Sequence, residues 1–112
     1  MKHDIKVCLY DIEEAIGYIL EFTAGMSLEE YCGNALVKAA VERKSAIIGE
    51  ALVRLRREQP ELLESLSESE KIIGFRNVLV HGYDMIEDAT VWSAITSSLP
   101  ILLEEVQSLL SA

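Results

Sequence analysis

Apolar side chains return every three or four residues along most of the chain, and this spacing restricts the fold more than any other feature of the sequence. Ile5, Cys8, Leu9, Ile12, Ala15, Ile16, Ile19 and Leu20 form one such stripe and predict a helix over residues 2–23. Gly25 interrupts it. Ser27 with Glu30 has the pattern of a capping box and opens a long second helix, with a stripe through Leu36, Val37, Ala40, Ile47, Ile48, Ala51, Leu52 and Leu55. That helix ends near Gln59, because Pro60 disfavours helical dihedrals in the residue before it. Gly49 costs it about 1 kcal/mol relative to alanine and suits close helix packing. A short helical turn is expected over residues 60–66. Ser67 and Glu70 repeat the capping-box pattern and open a third main helix, which Gly82 closes. Val91, Trp92, Ile95, Leu99, Leu102, Leu103, Val106, Leu109 and Leu110 mark the fourth. Pro100 should kink it, since the missing N–H frees the carbonyl of Thr96.

No segment alternates with period two, and no hairpin signal or internal repeat is visible. The expected fold is therefore all-α: an antiparallel up-and-down bundle of four main helices with a short fifth, helices one and two antiparallel and the last packed across them. With 112 residues, half of them apolar, the chain suits one domain spanning 1–112. It has no run of about 18 apolar residues, and Met1-Lys2-His3-Asp4 leads straight into an amphipathic pattern. A cytoplasmic protein without membrane attachment is expected. Cys8 and Cys32 lack the spacing of a metal site and read as reduced thiols, so neither a metal nor a cofactor is implied.

The formal net charge of −9 argues against a broad nucleic-acid-binding surface. The charge is unevenly spread. Within residues 38–57, Lys38, Arg43, Lys44, Arg54, Arg56 and Arg57 face only Glu42 and Glu50, a local balance of +4 that leaves −13 elsewhere. A salt-bridged helix face is the plain reading of such a strip. Arg43, Lys44, Arg54 and Arg57 are also the candidate RNA-docking cations. The adjacent pairs Glu13/Glu14, Glu29/Glu30 and Glu104/Glu105 splay about 100° apart on a helix and read as solvated faces.

Chemistry concentrates in Arg76-Asn77-Val78-Leu79-Val80-His81-Gly82-Tyr83. At about 100° per residue, Asn77 and His81 share a helix face, Arg76 and Tyr83 fall within about 20° of each other, and Val80 lies between the two pairs. Ile72, Phe75, Val78 and Leu79 take the opposite, core-facing side. Ile73 and Val80 sit on the polar arc, where β-branched apolar side chains would be wasted against water, so this arc is expected to pack against a second subunit. Singly, these polar residues could be solvated helix positions, with Gly82 a C-cap. Together, a guanidinium, a carboxamide, an imidazole and a phenol make a phosphate-handling set.

This motif, an arginine, four residues, a histidine, one residue and a tyrosine, resembles the HEPN superfamily and specifically its HepT-like branch. Glu42-Arg43, Ile47-Ile48-Gly49-Glu50-Ala51 and the segment from Trp92 to Pro100 also look like that family, so the resemblance covers nearly the whole chain. It implies a metal-independent ribonuclease, the toxin of a toxin-antitoxin pair, with the motifs of two subunits meeting in one cleft of a homodimer. It further implies a minimal nucleotidyltransferase antitoxin that transfers AMP to Tyr83. Arg76, His81 and Asn77 would be the catalytic residues, RNA the substrate, and DNA, without a 2′-hydroxyl, would survive. The rival reading is a catalytically silent adaptor that binds nucleotide or serves as the partner subunit of a nucleotidyltransferase. A purely structural dimerisation module ranks below both, because it leaves the polar set unexplained.

Overall fold

The computed structural model describes residues 1–74 and 87–112, and these are helical with short connections. α1 (His3–Thr23) begins where the stripe begins and buries Ile5, Cys8, Leu9, Ile12, Ala15, Ile16 and Ile19. At its end the Thr23 hydroxyl donates to the Ile19 carbonyl at 2.8 Å, and Gly25 takes a positive φ of 75° that a side chain would disfavour.

The capping box at Ser27 forms as expected: Glu30 N–H donates to Ser27 Oγ at 3.1 Å and Ser27 N–H to Glu30 Oε1 at 3.0 Å. It opens a five-residue helix, α2 (Leu28–Cys32), and not the long one. Gly33 ends α2, and Asn34 supplies a fresh cap, its Oδ1 accepting from Val37 N–H at 3.0 Å. The long helix, α3 (Ala35–Glu58), starts there. Leu36 consequently falls in an exposed first turn, 81% accessible, and not in the core. Val37 packs half-buried against the core, and the fully buried positions of α3 begin at Val41 and continue through Ser45, Ile48, Gly49, Ala51, Leu52 and Leu55. Gln59, at φ −150° and ψ 72°, stops the helix before Pro60, which opens α4 (Pro60–Leu63).

α1 and α3 pack along their length, and two contacts give the direction. Arg54 lies 3.8 Å from Asp4 and the Lys44 ammonium sits 4.5 Å above the Tyr18 ring, so rising numbers on one helix meet falling numbers on the other. The pair is antiparallel.

Residues 69–74 are helical and make up the described part of α5. The expected capping box at Ser67 does not form. Ser67 N–H instead donates to both oxygens of Glu105, at 3.1 and 3.2 Å, while the Glu70 carboxylate turns to Arg56 at 3.6 Å. The first helical bond runs from Ile72 N–H to the Glu68 carbonyl. Gly82, expected as the helix end, lies outside the described residues.

The last helix is one run with a defect in it. α6 (Asp88–Ser93) passes through a π-turn (Ala94–Ser98) into α7 (Leu99–Ser111). Leu99 N–H reaches back five residues to the Ala94 carbonyl, so the ladder widens just where Pro100 offers no donor. The Thr96 hydroxyl donates to the Trp92 carbonyl at 2.9 Å. Leu99, Leu102 and Val106 then bury against the core that α1 and α3 share. Each such aliphatic residue contributes about 1.5–3 kcal/mol by leaving water.

Candidate active site

Arg76, Asn77, Val80, His81 and Tyr83 lie outside the described residues, and what the structure defines is how the chain enters and leaves their stretch. On the entry side Ile72 and Ile73 are 2% and 3% exposed, and Ile72 lines a small apolar cavity with Ile48, Val91, Ile95 and Leu99. α5 is thus wedged between α3 and the π-turned helix. Ile73 was expected on the face offered to a second subunit, and the structure gives it to the core of its own chain. A helix covered on more than one side buries adjacent residues about 100° apart. Glu105 and Arg56 hold the same entry from α7 and α3.

On the exit side, Lys38 Nζ donates to Asp88 Oδ2 at 3.0 Å and to the Cys32 carbonyl at 3.3 Å. One ammonium ties the start of α6 to α2 and α3. Beside it the Tyr31 ring, 1% exposed, packs at 5.3 Å between centroids against Trp92, which is half-buried. Burial, then the carboxylates of Asp88 and Glu42, push the Tyr31 phenol well above the usual tyrosine range. It stays neutral.

The basic strip is largely occupied. Lys38 is paired with Asp88, Arg54 lies 3.4 Å from Glu58, Arg57 lies 3.9 Å from the same carboxylate, and Arg56 meets Glu70. Arg54 and Arg57 share their charge with Glu58 at the end of α3, whereas Arg43 and Lys44 stand in its first half. Arg43 is exposed. The Cys8 thiol is buried, and that burial raises its pKa, partly offset by Arg54. It is a core residue and not a nucleophile. Among the described residues no group of His, Cys, Asp and Glu is placed to hold a metal ion, and no helix is long and apolar enough to cross a membrane.

Two anchors were missed from sequence. The Glu104/Glu105 pair predicts a solvated face, and no local pattern links Glu105 to Ser67, 38 residues away. Lys38 and Asp88 are 50 residues apart.

A comparison with protein families matches residues 12–109 to the family described as Ribonuclease HepT-like. The chain belongs to that family. Among its relatives, "Putative RNase MJ1380" of Methanocaldococcus jannaschii is 32% identical over 95% of this chain and 96% of its own. "Putative RNase MJ1216" of the same organism is 33% identical over 97% of this chain and 89% of its own. "Probable ribonuclease HepT" of Thermococcus cleftensis is 29% identical over 97% and 98%. No solved structure matches. HepT-like membership agrees with the resemblance carried by Arg76 to Tyr83 and with the all-helical bundle.

Proposed function

We propose that this HepT-like chain is a metal-independent endoribonuclease, the toxin of a toxin-antitoxin pair, working as a homodimer. The observation that carries the reading is the family match over residues 12–109, which spans a motif holding an arginine, an asparagine, a histidine and a tyrosine.

In this reading the RNA 2′-hydroxyl attacks the adjacent phosphorus, the P–O5′ bond breaks, and the products carry a 2′,3′-cyclic phosphate and a 5′-hydroxyl. His81 moves the protons. Imidazole can both accept and donate a proton, so two copies facing across a dimer divide the roles of base and acid. The planar fork of Arg76 binds two phosphate oxygens and stabilises the charge that builds up in the transition state. Asn77, one turn from His81, orients the imidazole or the phosphate. Val80 belongs to the dimer interface, from which Ile73 is withdrawn.

Control falls to Tyr83. A nucleotidyltransferase partner joins the tyrosine oxygen to the α-phosphorus of ATP and releases pyrophosphate. The new phosphate then competes for Arg76 and the adenosine fills the cleft. Incubating the purified protein with RNA in excess chelator tests the nuclease reading: cleavage to cyclic-phosphate ends supports it, and intact RNA rejects it.

A further inference from the structure

The flank where α1 meets α3 carries two large aromatic side chains that the core does not use. Tyr18 and Phe22, one helical turn apart, stack with their centroids 5.8 Å apart and planes inclined by 27°, and they remain 40% and 36% exposed. The ammonium of Lys44 stands 4.5 Å above the Tyr18 ring, and exposed Arg43 precedes it on α3.

We propose that this flank is a stacking platform for single-stranded RNA, a substrate subsite that rests on the nuclease reading above. One base stacks against the exposed part of the Tyr18–Phe22 pair, while the neighbouring phosphate accepts from Lys44 and Arg43. Aromatic faces beside cations form the usual surface for unpaired nucleic acid, because every base has a π-face and every nucleotide a charge. The charge decides between RNA and an apolar partner. An apolar surface covering these rings would strip water from Lys44 and leave it unpaired, a costly burial, whereas a phosphate satisfies it. In a chain of net charge −9, the two cations also mark a place where a polyanion can approach. Exposed Glu14 and Glu21 lie one turn before and one turn after Tyr18 on α1, so the strand must run on the α3 side of the rings, where Lys44 stands.

The test uses a fluorescent 2′-O-methyl oligouridine, which lacks the attacking hydroxyl and reports binding whether or not the protein cuts RNA. The wild-type protein should bind it. Tyr18→Leu and Phe22→Leu, which keep apolar side chains at positions outside the core, should each weaken binding about tenfold. Lys44→Gln should flatten the salt dependence of log affinity by about 0.7 for the lost phosphate contact. Circular dichroism and melting should match wild type. Unchanged binding in all three variants overturns the platform, as does failure of the wild type to bind while it still cleaves RNA. Variants that bind normally but fall apart into smaller oligomers would assign the face to a second copy and also overturn it. Binding through these residues without any cleavage would keep the platform and sink the nuclease.

Discussion

Lys38 Nζ and Asp88 Oδ2 lie 3.0 Å apart, joining residues 50 positions distant in sequence at the point where the chain returns from the motif. Both side chains are about 30% exposed, so the pair is partly shielded from water.

Replacing Lys38 by Met keeps the stem and removes the charge, leaving Asp88 and the Cys32 carbonyl without their donor. We expect a loss of about 1 kcal/mol, a fall in melting temperature of about 4–8 °C. Thermal unfolding checks this. The helical content should stay the same, and no change in melting temperature would mean that the pair is merely a surface contact.

Tyr31 makes stability depend on alkaline pH. Its phenol is raised in the folded chain by burial and by Asp88 and Glu42, so above pH ~10 the unfolded chain releases this proton and the folded chain holds it. The contribution is fully present below the unfolded pKa and is lost as pH rises beyond it. Denaturant titrations from pH 8 to pH 11 should show Tyr31→Phe losing less stability with pH than wild type. Parallel curves would contradict the burial assigned to this hydroxyl.

The sequence showed clearly what lies in local periodicity. The α1 stripe, the Ser27–Glu30 box and the stop before Pro60 all appear where spacing and proline chemistry put them. It failed where two local signals compete. Gly33 and Asn34 start α3 afresh, and nothing in the Leu36 stripe weighs against that cap. It failed again where a distant residue takes over a local bond, as Glu105 does at Ser67. Ile73 shows the limit of a helical wheel: α5 has neighbours on more than one side, and a single apolar arc cannot express that. Of the candidate site, the residue types from Arg76 to Tyr83 were legible, whereas the contacts that hold the two ends of that stretch, Glu105 at Ser67 and Lys38 at Asp88, were not, because each joins residues far apart in the chain.

Homodimerisation should be visible by light scattering at micromolar concentration, and Val80→Glu should reduce it by placing an unpaired carboxylate in an apolar contact. A wild-type monomer would remove the basis for a shared cleft.

Tyr83→Phe keeps the ring and loses the acceptor oxygen. With the proposed nucleotidyltransferase partner and ATP, wild type should gain AMP by intact mass and lose RNA cleavage, whereas the variant should gain none and stay active. Equal AMP gain in both would end the tyrosine switch while leaving the nuclease untouched.

The most direct measurement compares wild type, Arg76→Ala and His81→Ala on one unstructured RNA in excess EDTA, with circular dichroism and melting recorded for each. Wild type should cut to 2′,3′-cyclic phosphate and 5′-hydroxyl ends and leave the matching DNA intact. Each variant should lose at least about a hundredfold in rate, the usual weight of one positioned acid, base or charge-stabilising group, with its fold unchanged. Full activity in His81→Ala, or a wild-type activity abolished by EDTA, would contradict the mechanism.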